Sequence, residues 1–182
     1  FRLMDDDFMS KVFEDKDCAE FLLKIILERD DLTVQEVHGQ HDLKNLQGRS
    51  VRLDILAVDH ANRTYNVEVQ RSDHGAGAKR ARYNSSLLDA NLTDAGDDYD
   101  ALNETYVIFI TENDVLKAGL PIYHVDRTVR ETGTFFQRSG SHCLCKLTNQ
   151  GRNCIGKTDA RLFLYQLKGY ELFHFGTESS LF

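Results

Sequence analysis

The sequence lacks tryptophan altogether, has a single proline, and contains no long apolar run. No segment approaches the roughly 18 consecutive apolar residues that a membrane-spanning helix needs. The first residues, F-R-L-M-D-D-D, also lack the basic-then-apolar order of a secretory signal. We therefore expect a cytoplasmic protein without a membrane partner.

Basic residues are in the minority, since 22 lysines and arginines stand against 29 aspartates and glutamates, a formal net charge of -7. Such a surface gains little affinity for polyanions by counterion release, so the charge disfavours non-specific binding to nucleic acid. An enzyme that contacts nucleic acid through a metal ion needs only a local basic track. The stretch K-R-A-R, from Lys79 to Arg82, is a candidate for one.

Cysteine is scarce and unevenly placed, with Cys18 far from Cys143, Cys145 and Cys154. In a cytoplasmic protein we do not expect these residues to form disulfides. The C-x-C pair and the single later cysteine are a poor match to the paired C-x2-C spacing of zinc sites. The cysteines therefore predict neither a disulfide framework nor a zinc centre.

The 182 residues, 41% of them hydrophobic, provide enough apolar material for one mid-sized globular domain. Hydrophobic periodicity predicts helices and strands in the order helix, helix, three strands, helix, strand. The expected helices cover residues 5–13, 18–27 and 76–88, and the expected strands cover 32–38, 51–58, 64–70 and 104–111. This order predicts an α/β fold with a mixed central sheet, in which the very apolar strand over 104–111 is central.

Two of these strands, over residues 51–58 and 64–70, should pair as an antiparallel hairpin that carries acidic residues at unexpected positions. Side chains alternate along a strand, so Glu68 and Gln70 point to one face, and a favourable register brings Asp54 to the same place. Burying either carboxylate unpaired costs several kcal/mol. A Mg²⁺ ion removes this conflict, although most matches to so loose a pattern are solvated faces of ordinary hairpins.

A longer series of motifs resembles a known family. The segments D-D-D-F-M-S-K-V-F, L-Q-G-R-S-V-R-L-D-I, N-V-E-V-Q-R, G-A-G-A-K-R-A-R-Y-N-S-S-L-L-D-A-N and E-T-Y-V-I-F-I-T-E-N-D-V-L-K occur in order between about residue 3 and about residue 136. Together they are similar to the PD-(D/E)XK nuclease family transposases, which are related to the recombination-promoting nucleases of bacteria.

The resemblance implies a restriction-endonuclease-like core and a Mg²⁺- or Mn²⁺-dependent endonuclease that hydrolyses DNA phosphodiester bonds. Asp54 matches the motif aspartate and Glu68 the (D/E) position, both metal ligands, and the backbone carbonyl of Val69 would be the third protein ligand. Gln70 stands where many superfamily members have lysine, so it offers a neutral amide in place of a positive charge. The metal site is expected where two strands splay apart.

Further candidates lie on the helices. Lys79, Arg80 and Arg82 on the expected third helix form either an exposed polar face or a set of DNA phosphate contacts. Glu20 on the second helix is either an additional acidic ligand or part of a solvated face. Arg52 flanks Asp54 and would offset its charge. DNA is the expected partner, and the oligomeric state is left open, with a homodimer as one possibility.

The composition changes abruptly near Phe136, where the resemblance also stops. Residues 1–136 contain 16 basic and 26 acidic residues, a net of -10, whereas residues 137–182 contain six and three, a net of +3. Relatives continue with a strand near H-I-I-Y-V-N and a helix near G-R-L-M-H-D-F, and a one-nucleotide shift of a back-translated tail gives closely similar segments. We therefore expect a nuclease-like domain over 1–136 and a frameshifted, poorly packed tail over 137–182. The alternative to an active nuclease is an inactive relic that binds DNA or metal.

Overall fold

The computed structural model describes residues 11–45, 48–70, 76–111 and 113–136, together with the backbone of residues 142–146. Residues 11–14 are helical. The regular elements that follow them are α1 (Lys16–Leu27), β1 (Val34–Leu43), β2 (Val51–Asp59), β3 (Thr64–Gln70), α2 (Ala78–Leu92), a 3-10 turn (Tyr99–Ala101), β4 (Thr105–Thr111), β5 (Ile122–Val125) and β6 (His142–Lys146). Within these ranges, none of the helices is both long and apolar enough to cross a membrane.

The strands form one mixed six-stranded sheet in the order β1-β2-β3-β4-β6-β5. β1, β2 and β3 pair antiparallel, as strands joined by short connections can. β3 and β4 are parallel neighbours, and α2 lies in the crossover that such a pair requires. β6 pairs parallel with β4, and β5 pairs antiparallel with β6.

The helix α1 covers one face of the sheet. Its apolar residues Cys18, Leu22 and Ile26 recur every four positions, so they form a buried stripe. They pack against a core that includes Val67 of β3. The carboxylate of Asp15 caps this helix, because Oδ1 accepts the backbone N–H groups of the second and third residues that follow, each at 3.0 Å.

The helix α2 covers the opposite face. Its residues Ala81 and Leu88 share a second core with Val107 and Phe109 of β4, whereas the residues between and after these on β4 belong to the core beneath α1. The central strands are therefore buried on both sides, as parallel strands in α/β folds usually are. Since Val67 faces α1, the alternation of side chains places Glu68 and Gln70 on the side of α2.

The fold class predicted from the sequence is confirmed, and β3 has the bounds expected for it. The predicted end of β1 at His38 was wrong, because the strand continues to Leu43. The polar residues of this extension stay in the strand because their backbone pairs with β2 at the sheet edge. The end of α2 was also wrong, since the helix runs four residues beyond Leu88. β5 was not predicted, because four residues are too short to show a clear alternation.

Several expectations fall outside the described residues. These are the first ten residues of the chain, which include most of the helix expected over 5–13, and residues 137–141 and 147–182 of the expected frameshifted tail. The side chains of Cys143, Cys145 and Cys154 are outside them as well. Cys18 is a free, buried cysteine in α1.

The turn between β2 and β3 is organised by a buried carboxylate, that of Asp59, which is 1% exposed. Oδ1 accepts the backbone N–H groups of Ala61 and Arg63, each at 2.9 Å. Oδ2 accepts from Arg63 Nε at 2.7 Å and from the hydroxyl of Tyr65 at 2.8 Å. Burial alone would raise the pKa of Asp59, but these hydrogen bonds together hold it below its usual value. The carboxylate thereby fixes how the two strands enter their ladder.

Replacing Asp59 with alanine should destabilise the fold by about 2–4 kcal/mol, because it leaves the Arg63 guanidinium and the Tyr65 hydroxyl unpaired in the interior. Urea unfolding at pH 7 measures the loss. Because folding lowers the pKa of Asp59, the wild type should have the higher free energy of unfolding above about pH 4. This difference from Asp59→Ala should shrink as the pH falls below that value. Asp42→Ala is the matched control, because Asp42 forms an exposed pair with Arg52 and should change the unfolding curve little. Equal effects of the two substitutions would contradict this assignment.

Candidate active site

The strands β2 and β3 diverge where the acidic residues lie. Their ladder ends at the pair Ile55–Val67, although both strands extend beyond it, to Val51 and to Gln70. Asp54 and Glu68 are the next residues on the two strands. Oδ2 of Asp54 accepts the backbone N–H of Val69 at 2.9 Å, and the backbone N–H of Asp54 hydrogen-bonds the carboxylate of Glu68. Side-chain oxygens thus satisfy backbone donors in the gap and bring the two carboxylates side by side.

The other side of Asp54 is irregular as well. The pairs Gly39–Ile55 and His41–Leu53 flank the position at which Gln40 of β1 faces Asp54. Gln40 has a φ of 49°, in the left-handed region that residues other than glycine seldom adopt. Strained backbone of this kind persists where the surrounding structure enforces it, often at functional sites. Asp54 therefore lies on a strand whose regular pairing is interrupted toward both neighbours.

Glu68 is the most deeply buried acid of the site, with 0% of its surface exposed. Oε2 accepts from Arg80 Nη2 at 2.7 Å, and Asn84 Nδ2 lies 3.5 Å from Oε1. Burial and, after it, the nearby negative charge of Asp54 raise the pKa of Glu68 to about 7, although the Arg80 guanidinium opposes both effects. The carboxyl group is therefore poised between its charged and neutral forms near neutral pH.

The guanidinium of Arg80 links the two candidate site residues of β3, Glu68 and Gln70. Nη1 donates to Oε1 of Gln70 at 3.0 Å, while Nη2 donates to Glu68. Its carbon atom lies 5.8 Å from the centre of the Phe109 ring on the neighbouring strand β4, within cation–π range. The sequence predicted Arg80 as part of either an exposed polar face or a set of DNA phosphate contacts. Helical spacing shows that Arg80 lies on a helix, but it does not show that the side chain reaches across to β3.

Two buried asparagines next to Glu68 were not predicted from the sequence as site residues. Asn66, two residues before Glu68 on the same face of β3, is 0% exposed, and neither polar atom of its side chain has a hydrogen-bond partner among the described residues. Its amide nevertheless lies near enough to help lower the pKa of Glu68. Oδ1 of the buried Asn84, which lies near Glu68, likewise has no hydrogen-bond partner in the described part of the chain. The available signal was the N-V-E-V-Q pattern, which places Asn66, Glu68 and Gln70 on one face.

The donor set fits a partly hydrated divalent cation. Carboxylate and carbonyl oxygens are the ligands that Mg²⁺ prefers, and Mg²⁺ often keeps several waters while binding one or two protein carboxylates. Asp54 and Glu68 provide the carboxylates, and the unpaired amide atoms of Asn66 are further polar groups next to them. In the part of the chain that the structure describes, no three or more His, Cys, Asp or Glu side chains come together as a metal site. The fit therefore rests on the carboxylate pair.

The other site residues predicted from the sequence lie in different parts of the structure. Lys79 and Arg82 are exposed on α2, whereas Arg80 turns inward, so the three residues do not form one surface track. Glu20 binds Lys24 Nζ at 2.7 Å and the backbone N–H of Val34 at 2.9 Å, at the beginning of β1 and away from Glu68. Arg52 pairs with Asp42 at 2.9 Å.

A cavity of about 620 Å³ lies beside α2, one turn beyond Arg80. Its walls come from the two residues that follow β1 and from one side of α2, and they are Lys44, Asn45, Tyr83, Ser86, Leu87, Ala90 and Asn91. The Tyr83 hydroxyl joins these walls, because it accepts from Asn45 Nδ2 at 3.0 Å and donates to the carbonyl of Arg49. The cavity is separate from the carboxylate pair, but α2 borders both.

Comparison with known proteins agrees with this architecture. The model of the family described as PD-(D/E)XK nuclease family transposase matches residues 10–139, well over half of the chain. Comparison with curated proteins gives no match. The matched segment contains the diverging strands β2 and β3, both carboxylates, Gln70 and the helix that carries Arg80. The chain belongs to the PD-(D/E)XK nuclease family transposases.

Proposed function

We propose that this chain is a metal-dependent endodeoxyribonuclease of the mobile-element or recombination-promoting type, which hydrolyses phosphodiester bonds in DNA. The observation that carries the proposal is the fully buried carboxylate of Glu68 next to Asp54, at the end of the β2–β3 ladder. Two like charges in such a place destabilise a sheet unless a cation joins them. Groups with strongly perturbed pKa values concentrate at functional sites for this reason.

Asp54, Glu68 and the backbone carbonyl of Val69 are the proposed ligands of a Mg²⁺ or Mn²⁺ ion. When bound, an ion of this kind activates water and neutralises charge that develops on a phosphodiester. The protein provides the fixed positions of the donors. The carboxylate of Asp54 is held by the N–H of Val69, and that of Glu68 is held by Arg80 and by the backbone of Asp54.

Gln70 is the proposed residue that positions water. Its oxygen Oε1 already accepts from Arg80, so its Nε2 group is the part that remains to donate a hydrogen bond. Such a donor can hold the oxygen of an attacking water or a non-bridging oxygen of the phosphate. Being neutral, the amide adds no charge of its own, and the electrostatic stabilisation must come from other groups.

Lys79 and Arg82 are the proposed contacts to the DNA backbone. Both side chains are exposed on α2, the helix that also carries Arg80 and borders the cavity with Lys44. Contacts of this kind position a duplex without reading its sequence. A local group of basic residues is needed here because the net charge of the chain is -7.

Substituting either carboxylate should abolish cleavage. Plasmid DNA incubated with the wild-type protein and Mg²⁺ should be nicked or linearised, and Asp54→Ala or Glu68→Ala should reduce the rate by at least about a hundredfold, because the ion loses a ligand. Asp42→Ala is the control, since that exposed carboxylate pairs with Arg52 and not with the site. Undiminished cleavage by both site variants would refute the proposal.

The raised pKa of Glu68 makes the stability of the metal-free protein depend on pH. The folded state keeps the proton up to about pH 7, whereas an unfolded chain releases it near pH 4.5. The stabilisation is therefore present below about pH 4.5 and lost as the pH rises toward and through about 7. Relative to Glu68→Gln, the wild type should lose on the order of 2 kcal/mol between pH 5 and pH 8 in urea unfolding with a chelator present.

Mg²⁺ sharpens this test, because an ion that binds only the folded state stabilises it. Adding Mg²⁺ at pH 8 should raise the unfolding midpoint of the wild type and leave that of Glu68→Gln nearly unchanged. The wild type and Glu68→Gln share all their other titrating groups. Subtracting one free energy of unfolding from the other therefore cancels the contribution of those groups. A difference that does not vary with pH would show that Glu68 ionises as an ordinary exposed carboxyl does.

We propose as the alternative that this chain is an inactive relic, in which a frameshift near Phe136 replaced the native C-terminal part. The family match ends at residue 139, close to the point where the charge balance reverses. The strand β6 covers His142–Lys146, which can read I-V-Y-V-N in the frame one nucleotide later, close to the H-I-I-Y-V-N of relatives. This agreement supports the view that a strand belongs at this place in the fold. A relic would bind DNA or metal without turnover.

The coding DNA tests the frameshift directly. Deleting or inserting one nucleotide near codon 136 should open a frame that encodes the strand and helix expected of relatives, and the repaired protein should unfold at a higher temperature than this chain. The repaired protein should also cleave DNA faster if the tail impairs the enzyme. A coding sequence that has no such frame would exclude the frameshift.

A further inference from the structure

Among the described residues, the positive charge next to Glu68 comes from Arg80 of the helix α2, and β3, the strand that carries the motif, contributes none. Gln70 is neutral, yet it accepts a hydrogen bond from the guanidinium of Arg80, which also binds Glu68. We propose that Arg80 is a positioning residue of the nuclease: it supplies from α2 the positive charge that Gln70 lacks, and it fixes the orientation of the Gln70 amide. This inference rests on the proposed function.

The shape of the contact favours this role over a surface salt bridge. A guanidinium is planar and presents its donors in a fixed fork, so two neighbouring N–H groups can bind two acceptors in a set geometry. Here the acceptors are Oε2 of Glu68 and Oε1 of Gln70, two residues apart on one face of β3. A lysine has a single nitrogen and cannot reproduce the fork.

The surroundings of Arg80 hold the guanidinium at the edge of the site. The Phe109 ring lies 5.8 Å from its carbon atom, and the Arg80 side chain is 38% exposed while Glu68 is fully buried. Arg80 therefore reaches from the solvent boundary to the buried acid. In that position its charge acts both on the carboxylate pair and on a phosphate group that approaches from outside.

The orientation of Gln70 follows from the same contact. Because Oε1 faces Arg80, the two N–H groups on Nε2 are the ones available to a negatively charged phosphate or to a water. Without Arg80 the amide can rotate and present its oxygen, which repels a phosphate oxygen. Arg80 thus determines that Gln70 acts as a donor.

Arg80 also bears the same sign of charge as the proposed cation and lies 2.7 Å from one of its ligands. Removing the guanidinium should therefore strengthen metal binding, even as it weakens catalysis. A residue with a merely structural role would lower metal affinity and cleavage together. Measuring both quantities separates the two roles.

The test uses Arg80→Ala, Arg80→Lys and the double variant Gln70→Lys/Arg80→Ala in the full chain. Cleavage of plasmid with Mg²⁺ gives the rate, and calorimetric titration with Mn²⁺ in the absence of DNA gives metal affinity. Arg80→Ala should slow cleavage about 10–100-fold and bind Mn²⁺ several-fold more tightly. Arg80→Lys should restore part of the rate. The double variant should cleave faster than Arg80→Ala, because its lysine returns a positive charge from β3.

Arg52→Ala is the matched control, since Arg52 also forms an arginine–carboxylate pair but on the exposed side chain of Asp42. It should leave both rate and Mn²⁺ affinity as in the wild type. Wild-type cleavage by Arg80→Ala, or equal losses of metal binding and cleavage without rescue by the double variant, would overturn the role of Arg80. Cleavage that survives Asp54→Ala would instead overturn the proposed function, so the two failures are distinguishable.

Discussion

The burial of one carboxylate, that of Glu68, sets the requirements that the surrounding structure meets. The strand β3 pairs with β2 on one side and β4 on the other, and helices cover both faces of the sheet. An acidic side chain on the face beneath α2 therefore cannot reach solvent. The acid must then acquire donors or a cation, because an unpaired buried charge costs several kcal/mol. The divergence of β2 provides one donor, the backbone N–H of Asp54, and α2 provides Arg80. The irregular pairing of β2 and the close approach of α2 both follow from this need.

The topology explains why the candidate site lies where it does. β3 and β4 are parallel, so their carboxyl ends meet at one edge of the sheet, where ligands bind in open α/β folds. Glu68 and Gln70 lie within the last three positions of β3, and Phe109 of β4 pairs in register with Glu68. The crossover from β3 to β4 then carries α2 over this edge. Phe109 gives the Arg80 guanidinium an aromatic surface, so the helix and both strands contribute to one arrangement.

Part of this site was accessible from the sequence. Strict alternation along β3 placed Glu68 and Gln70 on one face, and the short turn placed β2 beside it, because these are properties of the backbone. The partner of Arg80 was not accessible, since helical periodicity gives the face of a residue but not the length or direction of its side chain. Asn66 was missed although the same alternation places it on the face of Glu68, and Asn84 was missed because a lone asparagine on a helix has no distinctive spacing. β1 was underestimated because pairing at a sheet edge holds polar residues that propensity disfavours.

Because the positive charge is on α2, the proposed chemistry depends on how this helix packs. In a site whose lysine follows the acid by two residues, the strand alone fixes the distance between them. Here the distance from Arg80 to Glu68 depends on how Ala81, Leu87 and Leu88 seat α2 in the second core. A small shift of that helix would lengthen the 2.7 Å contact and release Gln70 at the same time. Substitutions in the core beneath α2 therefore act on the electrostatics of the site as well as on the free energy of unfolding, even where they touch neither carboxylate.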